Sequence, residues 1–402
     1  MEWRDKVSYH ERRLAMADFE TLDRRRTASA KWDGAIRKYG RENLLVFSIA
    51  DSDYKSAPPI IEALKKRVEH GAFGYTMIEK DYLDTIRNYY ERRYGVSVKR
   101  NWILAAPKVL NALSFLINEL TDEKEKVAIQ TPVYNMFPPV VKDNGRRLIE
   151  NALIKEKGRY QMDLKTLEKQ FQSGVRILIL CNPHNPVGRV WTEAELGALV
   201  SLCRRYDVHL ISDEIHADII MDDHRFVSLA HYIESYSKIS IVNAPSKTFN
   251  IAGIQVSYLI IPDNTLRSAL KKTYKALFLS TPNALGMTAL KAAYTECDDW
   301  LEAQNRHIAA NYRYLKDFFD GHIGKDLVTP LEATYLVWVD IRFTGLTSKA
   351  FVEGLAQKGA VLASGRDYGV HGEGYVRINI ACSTSQLKQG LALIKDYVYA
   401  LK

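Results

Sequence analysis

Short apolar strands that end in polar, chemically versatile residues recur along this chain, separated by amphipathic helical stretches. Arg176–Cys181 (RILILC) runs into Asn182 and Asn185, Val208–Ser212 (VHLIS) into Asp213 and His216, and Lys238–Asn243 into Pro245, Ser246 and Lys247. Strands alternating with helices predict an α/β fold built on a mainly parallel sheet. In such sheets ligands bind outside the carboxyl ends of the strands. Three strand ends carrying amide, acid, imidazole and amine therefore describe one convergent site.

The rest of the chain fits the same plan. Pro58 and Pro59 open a helix over Ile60–Glu69, with Ile60, Ile61, Leu64 and Val68 on one face. Helices are also expected over Lys80–Tyr94, Leu110–Glu119, Glu193–Tyr206, Leu266–Lys275, Asn283–Glu296 and Asp298–Phe319. Val127–Gln130 and Val256–Ile261 read as further strands, and Leu327–Lys402 as strand, helix, strand, helix. At 402 residues the chain has room for two or three domains. The expected division is a large domain over 50–282 and a smaller α/β domain made of 1–49 with 283–402.

Charge and cysteine usage narrow the function class. Lysine and arginine number 56 against 48 acids, a net charge of +8 that is mild for this length and scattered. Arg24, Arg25 and Arg26 form the one basic cluster, read as a solvated arm; no nucleic-acid partner is expected. Cys181, Cys203, Cys297 and Cys382 form no CxxC pair and sit at no zinc-ligand spacing, so no metal is expected and a reducing cytoplasm fits. Met1–Lys6 has no apolar signal region, and no run of 18 apolar residues predicts a membrane span.

A lysine fixed just past a strand becomes a nucleophile toward aldehydes when desolvated. An aspartate at the end of a buried strand is costly unless it meets a cation, and a protonated pyridine nitrogen is one. An asparagine and a histidine beside them can hydrogen-bond a phenolate oxygen. These are the protein parts that hold pyridoxal phosphate (PLP). Taken singly, each has an ordinary reading: Lys247 a surface lysine, Asp213 a helix cap, His216 a satisfied polar residue, Asn185 a turn residue. Only the joint pattern overturns those readings.

CNPHNPVGRVW (Cys181–Trp191), SDEIHAD (Ser212–Asp218) and APSKTFNIAG (Ala244–Gly253) occur in this order, flanked by SAKWD (Ser29–Asp33), FGYT (Phe73–Thr76), TPVY (Thr131–Tyr134) and GYVRIN (Gly374–Asn379). Together they resemble the fold-type I PLP-dependent enzymes, within them the MalY/PatB branch of cystathionine β-lyases and C–S lyases related to class I/II aminotransferases. The resemblance runs over nearly the whole chain. It implies that Lys247 carries the cofactor as a Schiff base and then removes the substrate Cα proton, with Ser246 beside it. It implies that Asp213 pairs with the pyridine nitrogen, Asn185 and His216 contact the phenolate, and Tyr134 stacks on the ring. Val109 and Leu110 would offer helix N-terminal amides to the phosphate, and Arg377 would clamp the substrate carboxylate. Tyr75 would reach the phosphate bound to a neighbouring subunit, which implies a homodimer with a shared active site.

The phosphate cradle departs from the family pattern. Lys108 stands where relatives carry glycine, Gln255 where many aminotransferases carry arginine, and Ala244 where serine is common. Lys108 at the helix start could supply the missing charge, or obstruct the phosphate. Ser48 and Ser52 replace a tryptophan and a methionine of the family pattern, which implies a smaller, more polar substrate pocket. The resemblance implies β-elimination from cystathionine or another cysteine S-conjugate, giving a thiol, pyruvate and ammonia. The alternatives are an amino-acid aminotransferase and a catalytically weak regulatory homologue.

Overall fold

Seven strands form the central sheet of the structure, a computed structural model that describes residues 19–221, 223–279 and 283–401. In chain order they are β1 (Ile103–Ala106), β2 (Lys126–Thr131), β3 (Arg147–Ala152), β4 (Val175–Cys181), β5 (His209–Asp213), β6 (Ile239–Asn243) and β7 (Ser257–Ile260). Across the sheet the order is β1-β7-β6-β5-β4-β2-β3. Only β7 runs against its neighbours; the other contacts are parallel. Consecutive residues of a strand point to opposite faces, and the central strands feed two cores in this way. Ile177 and Ile179 join one apolar cluster, while Leu178 and Leu180 join the other.

Helices cover both faces. α1 (Pro58–Glu69) and α2 (Lys80–Tyr94) lie on one side, and α2 buries Tyr82, Ile86, Tyr89, Tyr90 and Tyr94. α3 (Val109–Leu120) lies on the other, burying Ala112, Leu113, Leu116 and Ile117 against the sheet. Helix limits follow local chemistry. α2 stops at Gly95, whose φ of 67° is the left-handed geometry glycine adopts freely. α4 (Glu193–Arg205) starts with a reciprocal Thr192–Glu195 capping box, worth about 1 kcal/mol.

The C-terminal part forms a second sheet. β8 (Leu336–Asp340), β9 (Ala363–Ser364) and β10 (Tyr375–Asn379) pair antiparallel in the order β8-β10-β9. Leu45–Val46 pairs in parallel with Ala360–Val361, so the N-terminal segment joins this part rather than the central sheet. The expected division point at Pro282 and the segment Met1–Lys6 lie outside the described residues.

Two expectations need correction. The edge strands β1 and β3 escaped the sequence reading. β1 is apolar but only four residues long and ends in two alanines, whereas β3 carries Arg147, Glu150 and Asn151 and lacks the apolar run of an inner strand. Nor is the Arg24–Arg26 cluster uniformly solvated. Arg24 is half-buried and ion-paired to Asp51 at 2.9 Å, while Arg25 pairs locally with Asp23. The four cysteines are free and buried, and no helix among the described residues is long and apolar enough to cross a membrane.

Candidate active site

The carboxyl ends of β4, β5 and β6 open onto one cleft, partly open to solvent. Asn185, Asp213, His216, Ser246, Lys247, Tyr134, Lys108, Val109, Leu110 and Gln255 all border it. Asp213 is the last residue of β5, and the parallel register sets it beside Cys181 of β4. Its Oδ1 accepts from the backbone N–H of Ile215 at 3.1 Å. Burial pushes this carboxyl up to about 7, against the pull of that hydrogen bond and of Lys247. A group in that state gains from a cation placed against it.

Lys247 follows β6 through the turn at Pro245 and Ser246. Its Nζ donates to the backbone carbonyl of Ala50 at 2.6 Å. Its amine is lowered to about 8, chiefly by burial; Asp51 and Asp213 oppose the shift and Arg377 favours it. The amine is thus poised to lose its proton near neutrality, as a nucleophile or base must. His216 is buried and held neutral, its ring pushed down to about 3 by burial. Its Nδ1 is buried and has no hydrogen-bond partner. The Tyr134 ring meets Phe137 edge-on at 5.7 Å, and burial raises its hydroxyl.

α3 begins at the mouth of the cleft. Lys108 is its N-cap in an extended conformation with no side-chain cap, so the first N–H groups of the helix point outward without a protein acceptor from that residue. Lys108 itself is exposed. Arg377, on β10, is buried beside the cleft. It donates through Nη1 to Asn185 Oδ1 at 3.0 Å and through Nη2 to the Ser48 carbonyl at 2.6 Å. Its Nε has no partner, and the guanidinium stacks over Tyr368 at 4.9 Å. An orphaned guanidinium edge suits an incoming carboxylate. These residues fit PLP: a buried acid in want of a cation, a low-pKa amine, an unpartnered imidazole, an aromatic wall and an open helix N-terminus.

The sequence profile of the family "Aminotransferase class I and II" matches residues 42–394. Cystathionine β-lyase PatB of Bacillus subtilis is 36% identical over 372 residues, covering 92% of this chain and 96% of that protein. Protein MalY of Escherichia coli is 31% identical, covering 96% of this chain and all of that one. The chain belongs to the class I and II aminotransferase family. Cystalysin from Treponema denticola, solved with pyridoxal 5'-phosphate, superposes with a TM-score of 0.92 at 32% identity over 96% of this chain and 99% of that one. The PLP-bound C–S lyase from Staphylococcus hominis gives 0.89 at 29% identity over 95% and 98%. The fold is accordingly that of fold-type I.

Tyr75, expected at a neighbouring subunit's phosphate, does not border the cleft of its own chain. It is fully exposed and borders a neighbouring groove with Phe73, Gly253, Ile254 and Phe278. Gln255 borders both groove and cleft. Ser52 is fully buried away from the cleft, so it does not line a substrate wall, whereas Ser48 contributes its carbonyl to Arg377. Sequence reasoning also missed Ala50, Tyr335 and Asn379, which hold the Lys247–Arg377 region together. Asn379 was findable: it lies two residues beyond Arg377 on one strand, hence on the same face.

Proposed function

We propose that this protein is a PLP-dependent C–S lyase that eliminates a thiol from cystathionine or another cysteine S-conjugate. The observation that carries the proposal is the Asp213 carboxyl and the Lys247 amine bordering one cleft, both shifted toward neutrality by burial. The relatives named cystathionine β-lyase and C–S lyase support elimination over transamination. Bound PLP supplies a protonated ring that withdraws the electron pair left on a substrate carbon when its proton departs.

The chain's residues divide the remaining work. Asp213 would hold the proton of the ring nitrogen with its carboxylate. Lys247 would anchor the cofactor, and its Nζ would be the base that receives the substrate Cα proton. Asn185 and the neutral His216 border the cleft and would hold the ring oxygen by hydrogen bonds. Tyr134 covers the ring face, and Ser246 borders the cleft beside Lys247. Val109 and Leu110 present helix N-terminal amides to the phosphate, where an anion is favoured. Lys108 adds the cation that Gln255 does not supply. Arg377 binds the substrate α-carboxylate, already oriented by Asn185 and Ser48.

The working unit in this reading is a homodimer in which Tyr75 completes the partner's phosphate site. Its exposure supports this, as do Phe73, Met77 and Phe278 exposed around the same region. The cofactor-binding body is assigned to 50–282 and the smaller domain to 1–49 with 283–402. The test is an absorption spectrum of the purified protein followed by addition of L-cystathionine. A visible band with release of pyruvate and a free thiol, without any added keto acid, is expected. A band that bleaches without pyruvate identifies a transaminase; no band with excess PLP overturns the reading.

A further inference from the structure

Segment Ser48–Ser52 has no regular secondary structure, yet all five of its carbonyls accept hydrogen bonds from side chains. Ser48 accepts from Arg377 Nη2 at 2.6 Å, and Ala50 from Lys247 Nζ at 2.6 Å and Tyr335 Oη at 3.2 Å. The two cations that the functional reading assigns to substrate are thus held by one short stretch of backbone. Between and beyond those carbonyls stands a single amide. Asn379 Nδ2 donates to Ile49 at 2.6 Å and to Asp51 at 2.7 Å. Its Oδ1 accepts from the Ala381 N–H at 2.8 Å, which fixes the orientation of the amide. Asn379 is 1% exposed and borders no part of the cleft.

Other groups hold the segment too: Tyr335 shares the Ala50 carbonyl, the Asp51 N–H donates to the Ile49 carbonyl, and the far end has further anchors. Lys31 and Arg24 reach Asp51 and Ser52, and Asn250 holds Ser52 and Tyr54. At the near end, Asn379 is the donor that straddles Ala50. Without it, the carbonyls of Ile49 and Asp51 lose their shared donor, and the peptide that aims Ala50 at Lys247 is held less firmly, by Tyr335, the Asp51 N–H and Lys31 alone. Both cations then lose a fixed acceptor together, because both are tied to the same segment.

We propose that Asn379 is a positioning residue that locks Ser48–Ser52 and thereby couples the placement of the Arg377 guanidinium to that of the Lys247 amine. This rests on the functional reading of those two residues. Catalysis is sensitive to misplacement of about 1 Å, and loss of a hydrogen bond to a charged group is felt strongly. The effect of Asn379 acts through Arg377 on substrate binding and through Lys247 on capture of the cofactor.

The test uses the full-length protein with Asn379→Ala and Asn379→Asp. The second variant keeps the volume and the acceptor for Ala381 but removes both donors. Three quantities are read: KM and kcat for L-cystathionine, the rate at which PLP recombines with the cofactor-free chain, and the thermal midpoint. Both variants are expected to raise KM roughly ten-fold and to slow recombination roughly ten-fold, losses typical of a misplaced charged group. A lowered thermal midpoint with unchanged KM and recombination rate marks a structural role only and overturns the proposal. A raised KM with unchanged recombination shows that the two cations are not coupled, and overturns it equally. If the unaltered protein shows no visible band with PLP, the functional reading has failed instead, and this inference falls with it.

Discussion

The Asp213 carboxyl offers a direct test of the electrostatic reasoning, because the structure assigns it opposite effects on stability and on cofactor binding. Burial raises it from an ordinary 3.8 to about 7. Below about pH 4 the group is protonated in the folded and unfolded chain alike and contributes nothing. Between about pH 4 and 7 the unfolded chain gives up the proton while the folded chain keeps it, so stability falls as pH rises; above about pH 7 the loss is constant. A shift of about 3 units at ~1.4 kcal/mol each sets the penalty at about 4 kcal/mol in the cofactor-free protein. The Asp213→Asn variant keeps a side-chain oxygen for the Ile215 N–H and carries no charge.

The variant should therefore be more stable than the parent when both are stripped of cofactor, and increasingly so with pH. With an unfolding entropy of ~2.1 cal/mol/K per residue, about 4 kcal/mol corresponds to a rise in thermal midpoint of roughly 5 °C at about pH 8. At about pH 5 most of the penalty is absent, and the gain should shrink to roughly 2 °C. With PLP present the order should reverse, since the parent gains a cation for its carboxylate and the variant does not. The assay is a thermal melt of both proteins at the two pH values, with and without PLP. A variant equal to or less stable than the parent at about pH 8 without cofactor would refute the burial argument.

The same geometry bears on four other variants. Arg377→Lys should raise KM for the amino acid by roughly a hundred-fold, since one ammonium replaces a fork already braced by Asn185 and Ser48; steady-state kinetics checks this. Lys108→Ala should weaken PLP retention several-fold in equilibrium dialysis, by ~1 kcal/mol, and unchanged affinity would remove Lys108 from the phosphate site. Tyr75→Ala should lower PLP affinity although Tyr75 lies outside its own cleft, and co-expression with a Lys247→Ala chain should restore part of the activity through mixed dimers. Gly365→Ala should destabilise the protein by more than ~3 kcal/mol, because the new Cβ would overlap the carbonyl oxygens of Gly372 and Tyr375, backbone atoms that have no rotamer to escape into. A thermal melt reads that loss.

The chemistry of the strand ends was legible without coordinates. A parallel sheet brings the carboxyl ends of its inner strands side by side, so residues just after β4, β5 and β6 had to meet. Asn185, Asp213, His216 and Lys247 do border one cleft. The helix starts were legible too, because prolines at Pro58 and Pro59 and the Thr192–Glu195 box act locally. The edge strands were not legible: β1 and β3 are strands because a neighbour offers them hydrogen bonds, not because their side chains demand it.

Local periodicity and strand order thus impose an α/β sheet, its inner strands, and the set of polar groups at their ends. Long-range hydrogen bonds and the exclusion of water belong to the folded molecule alone. Ser52 looked like a pocket residue and is buried elsewhere. The acceptors of Lys247 and Arg377 are backbone carbonyls of Ala50 and Ser48, groups every residue carries and no sequence pattern marks. Likewise the shifts of Asp213 to about 7 and of Lys247 to about 8 come from the desolvation of a cleft that exists only once the chain is folded.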